Sequence, residues 1–202
     1  MRPVPADRQA ETLFRRRKGV LRTSEVLALG VHPRTLYRLR DSGRLVSVSR
    51  GVYRLAELPE PSYPDLVVVA TRVPRAVVCL ISALSFHDIT TQVPHEVHIA
   101  LPRGARSPRL DHPPVRVFRL TGRAYSEGVE THSVGGVAVR IYSPEKTVAD
   151  CFKFRGKIGL DVAVEALRLA RERKRISVRS LLRYARVCRV ERVMMPYLEA
   201  LA

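Results

Sequence analysis

Two arginines four residues apart carry the clearest chemistry in the chain. They are Arg34 and Arg38, in the segment Pro33-Arg34-Thr35-Leu36-Tyr37-Arg38-Leu39. Helical spacing predicts Leu36 and Leu39 on one face and Arg34, Thr35 and Arg38 on the other, with Tyr37 at the margin. A guanidinium is a planar fork of donors that matches the O6 and N7 acceptors of guanine. Arginines near a helix N-terminus therefore suit reading base edges in a major groove. Other clusters are less apt. His95 and His98 lie three apart in an alternating, strand-like stretch, so they point to opposite faces and cannot converge on a metal. His87 and Asp88 are adjacent and diverge on a short helix. Glu145, Lys146 and Asp150 form the best polar cluster, and a helix N-terminus with flanking charges accounts for it. The acid-x-Lys pattern of a metal-dependent nuclease occurs only at Glu172-Arg173-Lys174, in a helix tail. There is no Gly-x-x-x-x-Gly-Lys phosphate loop and no Gly-x-Ser-x-Gly elbow. The expectation is a protein with no catalytic residues, no metal site and no cofactor.

The surrounding residues predict how the arginine helix is held. Val26, Leu27 and Leu29 mark a short preceding helix that Thr23 is expected to cap. Gly30 is expected to end it in the left-handed conformation. His32, kept extended by the following proline, and Pro33 at the first helical position open the second helix over 33–42. Gly43 closes it. Strands at 45–49 and 52–55 meet at Arg50-Gly51, a tight hairpin with a cation at its tip. Two short helices at a tight corner, then a hairpin, is the order of a winged helix-turn-helix. Upstream, residues 6–18 predict a helix with Leu13 and Phe14 inward, ending in Arg15-Arg16-Arg17-Lys18. The expected DNA contacts are Arg34, Thr35, Tyr37 and Arg38 on the helix, Arg50 at the wing, and Arg16, Arg17 and Lys18 along phosphates.

Charge agrees with a polyanionic partner. The 202 residues carry a formal net charge of +17 and a pI near 10.9. Residues 1–60 hold 13 Lys and Arg against 6 Asp and Glu, and the remainder holds 23 against 13, so both parts are basic. Arginine far outnumbers lysine, as an arginine-rich proteome would also produce. The longest apolar runs, 66–70 and 76–81, are much shorter than the roughly 20 residues that span a bilayer. Residues 1–5 offer no apolar core for a secretory signal. Cys79, Cys151 and Cys188 are scattered in apolar contexts and read as buried thiols. A cytoplasmic protein with no membrane contact is expected.

Three prolines within 57–64 mark a boundary, giving a DNA-binding domain over 1–60 and a second domain over 65–202. The expected class is α+β, with the second domain a mixed fold of a small, mainly antiparallel sheet and C-terminal helices. Apolar segments at 65–72 and 76–81 open that domain, and a short helix capped by Ser82 follows. Strands are predicted at 96–101, 115–120, 130–134 and 137–142, the last two joined by Gly135-Gly136. Ser143-Pro144-Glu145 starts a further helix. Helices at 159–172, 177–188 and 190–201 complete the chain, with Pro196 expected to kink or delay the last. Arg179, Arg183 and Arg186 are spaced four and three apart and form a second basic stripe on one helical face.

Four of these places resemble the AbiEi family, the antitoxins of type IV toxin–antitoxin systems. They are the winged helix with Arg-Gly-Val-Tyr at 50–53, Ser82-Ala83-Leu84-Ser85-Phe86-His87, Val93-Pro94 leading into strand 97–101, and the segment from Ser143-Pro144-Glu145-Lys146-Thr147-Val148 to Asp150-Cys151. Together they span about residues 20 to 155. The resemblance implies a winged helix that binds double-stranded inverted repeats in its own promoter, and a C-terminal domain that counters a nucleotidyltransferase-type toxin. An inverted-repeat operator would also suit cooperative or dimeric binding. Two other classes remain open at this level. One is a stand-alone winged-helix regulator whose second domain binds a ligand or partner. The other is a nucleic-acid enzyme, which a metal-dependent cleavage assay would expose.

Overall fold

The computed structural model describes residues 6–17 and 19–201. Contacts divide the chain into two compact units, one reaching Pro74 and including 132–139, the other holding 75–131 and 140–202. By compactness the division thus falls at residues 74/75, beyond the proline-rich stretch. The apolar run after Pro64 forms a helix that packs against the wing strand, and so adds to the first unit.

The first unit runs α1(Ala6–Arg16), β1(Val20–Arg22), α2(Thr23–Ala28), α3(Pro33–Asp41), β2(Leu45–Ser49), β3(Val52–Leu55) and α4(Pro64–Arg72). Its three strands pair antiparallel in the order β1-β3-β2. The core gathers Ala10 and Phe14 of α1, Leu21, Val26, Leu36, Leu39, Leu45, Tyr53 and Leu55. Burying each leucine contributes on the order of 1.5–3 kcal/mol, so Leu36 and Leu39 fix how α3 is rotated about its axis. Gly30 takes φ +86° after α2, a conformation open to glycine without cost. Thr23 is not the cap of α2. Arg22 occupies that position, its N–H donating to Glu25 Oε2 at 2.8 Å, while the Thr23 N–H and hydroxyl both donate to the Gly51 carbonyl. Strand β1, at three residues too short for periodicity to reveal, makes this possible by placing Arg22 opposite Val52.

The second unit contributes β4(Val77–Val78), α5(Leu80–Phe86), β5(Val97–Pro102), β6(Val115–Leu120), α6(Arg123–Ser126), β7(Val129–Val134), β8(Val137–Tyr142), α7(Pro144–Lys153), α8(Arg155–Ile158), α9(Leu160–Glu172), α10(Val178–Cys188) and α11(Glu191–Ala200), the tip of the β7/β8 hairpin excepted. The sheet order is β6-β5-β4-β8-β7. It is mixed: β5/β6 and β4/β8 pair parallel, and β4/β5 antiparallel. Ser82 lies inside α5, whose cap is Cys79. Its hydroxyl instead donates to the Glu96 carbonyl and accepts from the His98 N–H, pinning the helix to the start of β5. Ser143 does cap α7, accepting from the Lys146 N–H at 3.3 Å, with Pro144 at the first position. Pro196 sits inside α11, which begins at Glu191 without delay.

Helix α7 packs against α5, α9 and α10, and every residue from Lys146 to Phe152 is buried. Lys146 and Asp150 are 0% and 1% exposed, so these charges are not a surface cluster. Lys146 Nζ lies 2.5 Å from Asp150 Oδ2 and 4.0 Å from the centre of the Tyr142 ring. Cys188 Sγ donates to Asp150 Oδ1 at 3.2 Å, and the Tyr142 hydroxyl donates to the Tyr125 carbonyl at 2.8 Å. All three cysteines are free and buried. Burial, with the Asp150 carboxylate nearby, pushes the Cys188 thiol up to about 12 and raises those of Cys79 and Cys151. Thiolate is the reactive form, so no thiol should react with an aromatic disulfide reagent at pH 8 in the native protein. All three should react after denaturation; a fast-reacting native thiol would contradict this packing.

Candidate nucleic-acid interface

The start of α3 is set by its own residues. His32 is extended (φ −68°, ψ 141°), its Nδ1 accepts from the Arg34 N–H at 3.2 Å, and Pro33 needs no partner for a missing N–H. With Leu36 and Leu39 buried, Arg34, Tyr37 and Arg38 face outward. Thr35 does not. It is 6% exposed, because it stands four residues before Leu39 and falls within the broad arc that a packed helix buries.

The outward arginines differ in how their charge is used. Arg38 Nη2 donates to Asp7 Oδ1 on α1. Arg44, just after α3, lies 3.5 Å from the other Asp7 oxygen and 2.5 Å from Glu11 Oε1. The Arg38 hydrogen bond holds the Asp7 carboxyl below its usual range. Asp7 and Glu11 are one helical turn apart, so α1 presents a pair of acids to α3 and the turn that follows it. Two acids at that spacing in a strongly basic stretch were the available signal in the sequence. Arg40 pairs with Asp41 at 2.7 Å and lies over the Tyr37 ring, 5.0 Å from its centre. Arg15 pairs with Glu57, also at 2.7 Å. Among the described residues no carboxylate pairs with Arg34, Arg16, Arg17 or Arg50. Lys18 lies outside the described residues.

The wing gains a cation that sequence reading did not single out. Arg72, in the last turn of α4, donates from Nη1 to the Arg50 carbonyl at 2.7 Å. Arg50 itself is exposed at the turn. One turn thus carries two guanidinium groups, positioned by a helix that the sequence reading placed in the second domain.

In the second unit the stripe on α10 is largely neutralised. Arg183 pairs with Glu127 at 3.1 Å and Arg186 with Glu191 at 2.8 Å, while Arg179 is exposed with no carboxylate partner among the described residues. Arg123, with Arg183, holds the Glu127 carboxyl below its usual range. His98 is buried, with Nε2 3.5 Å from Glu96 Oε1 and Nδ1 lacking a partner, and burial lowers its pKa. Among the described residues no group of three or more His, Cys, Asp or Glu gathers as a metal site would require, and no helix is long and apolar enough to cross a membrane.

Residues 8–56, from α1 through the wing, match the family described as "Transcriptional regulator, AbiEi antitoxin". No curated protein matches the chain. Among solved structures, that of the RV2827C protein from Mycobacterium tuberculosis is similar, with a TM-score of 0.59 and 19% identity over 91% of this chain and 72% of that one. At that identity the likeness is one of fold: an α+β chain with a small antiparallel sheet, a larger mixed sheet and C-terminal helices.

Proposed function

We propose that this chain, whose residues 8–56 carry the signature of an AbiEi antitoxin regulator, is the DNA-binding antitoxin of a type IV toxin–antitoxin pair. On this reading α3 enters the major groove of an inverted-repeat operator in the chain's own promoter, and the two-arginine wing turn contacts phosphate. Arg34 and Arg38 read bases; Arg50, Arg72, Arg16 and Arg17 position the protein. The second unit counters a nucleotidyltransferase-type toxin, functionally or by direct contact, and the protein acts in the cytoplasm without a catalytic site of its own. The observation that carries the reading is the division of α3 into a fully buried leucine face and an outward face whose first arginine has no carboxylate partner among the described residues, within the matched segment.

The test is retardation of a duplex from the upstream promoter against a shuffled duplex of equal length. The promoter duplex should bind more tightly, with log K falling linearly as log salt rises. Equal binding of both would overturn autorepression. The same assay reads the Asp7 contact. Asp7→Asn removes the carboxylate that competes for Arg38 and should tighten binding by about two- to five-fold, the scale of one exposed ion pair. Weaker binding would mean that Asp7 is needed to orient the arginine. Co-expression with the neighbouring toxin gene then separates an antitoxin, which restores growth, from a stand-alone regulator, which does not.

A further inference from the structure

A cleft of about 510 Å³ opens in the second unit between the turn that follows β6 and the C-terminal end of α10. Gly122, Arg123, Lys153, Arg186 and Arg189 line it, and among the described residues no carboxylate does. Two of these cations are already balanced from outside the cleft, Arg123 by Glu127 at 2.5 Å and Arg186 by Glu191 at 2.8 Å. The other two are not. Lys153 Nζ donates to the Cys188 carbonyl at 3.3 Å, and Arg189 is exposed with no carboxylate partner among the described residues. About two positive charges are thus left facing one hollow.

The backbone of Arg189 adds a second observation. It closes α10 in the left-handed conformation, φ 59° and ψ 41°. There an L side chain crowds its own carbonyl, and helix ends ordinarily place glycine at such positions. The chain uses glycine in this way after α2 and α3, at Gly30 and Gly43, and a non-glycine residue after α5 and α9, at Asp88 and Lys174. A cation at a helix C-terminus gains something from the helix dipole. Here, however, the Cys188 carbonyl already receives a cation from Lys153, so that gain does not require an arginine at 189. Of the three left-handed non-glycine residues after helices, Arg189 is the one that lines the cleft, and it is this coincidence of backbone and hollow that points to a use for its side chain.

We propose that this cleft binds a phosphate monoester, with Arg189 and Lys153 as its direct partners. Two uncompensated cations match a phosphate dianion, and guanidinium geometry matches its oxygens. The volume lies within the range of small-ligand sites and exceeds what one phosphate fills. The lining named here has no aromatic ring on which a base could stack. Recognition therefore falls on the phosphate group, carried either by a small molecule or by the 5′ end of a nucleic-acid strand.

Calorimetric titration of the full chain with inorganic phosphate, and with a dinucleotide bearing or lacking a 5′-phosphate, tests this. Saturable binding that requires the phosphate is expected. Saturation by inorganic phosphate points to a free ligand, and saturation by the phosphorylated dinucleotide alone to a strand end; both support the site. Arg189→Gly is the decisive variant, since glycine suits the left-handed backbone and should leave the melting temperature unchanged or raised. It should weaken phosphate binding at least ten-fold, whereas Arg179→Gln, on the same helix outside the cleft, should not weaken it. No saturable binding, an Arg189→Gly variant that binds like the parent, or equal losses in both variants would each overturn the site. Promoter retardation run on the same samples keeps this result distinct from the winged-helix reading, which Arg189→Gly should leave intact.

Discussion

Replacing Asp150 by leucine should lower the unfolding free energy by about 3–5 kcal/mol, the usual cost of stranding one partner of a buried ion pair. Lys146 would then carry a charge in a wholly buried position, with only the face of Tyr142 and water that enters to balance it. Lys146→Met should cost a similar amount for the mirror reason, and pH should reveal why. Burial raises the Asp150 carboxyl above its usual range even beside its lysine. Without that lysine the neutral acid is tolerated and the anion is not. A folded-state pKa above the unfolded value gives stability that is present below the unfolded value and lost as pH rises through the folded one. The methionine variant should therefore be more stable at pH 5 than at pH 8. The double variant Lys146→Met/Asp150→Leu should recover most of the loss, because apolar replacement of a whole buried pair is often neutral or better. Urea unfolding of the four proteins gives the coupling directly. Losses that simply add across the two positions would show that the pair is not a unit, and that α7 is held by its apolar neighbours alone.

That pair also shows where sequence reasoning stops. Glu145, Lys146 and Asp150 read as the charged start of a helix, which is true of the helix and wrong about the environment. Helical periodicity reports which residues share a face; it does not report that α7 packs against α5, α9 and α10 so that every residue from Lys146 to Phe152 is buried. The first unit was more legible, because its signals are local. The proline after His32, the glycine after α2 and the Arg50-Gly51 turn each dictate a backbone conformation, and strands β2 and β3 fall where the alternation placed them. Strands β1 and β4, of three and two residues, exist only through pairing with segments distant in sequence. The same limit hid the directions in the second sheet, where two pairings are parallel. In the candidate interface, spacing placed Arg34 and Arg38 outward and Tyr37 at the margin, where it is exposed. It could not show that Thr35 turns inward, or that Asp7 and Arg72 arrive from other helices.

Arg34→Ala should cut the preference for the promoter duplex by about 5- to 150-fold while leaving toxin neutralisation unchanged. Its backbone is fixed by the His32 cap, and among the described residues its guanidinium has no carboxylate to leave before meeting a base. Arg38 must first release Asp7, so Arg38→Ala should have the smaller effect of the two. A lost bidentate contact to guanine costs about 1–3 kcal/mol, or roughly 5- to 150-fold in affinity, and relaxes the choice of base at one position. Arg50→Gln at the wing should instead weaken promoter and shuffled duplexes alike and reduce the salt slope by about one. The two patterns separate base reading from phosphate positioning without reference to absolute affinity. Because Arg34 is exposed and outside the core, the variant should melt with the parent, and growth rescue against the toxin should persist if that task belongs to the second unit. An Arg34→Ala protein that still preferred the promoter duplex as strongly as the parent would remove α3 as the reading element. One that bound poorly and also failed to rescue growth would tie both tasks to the winged helix.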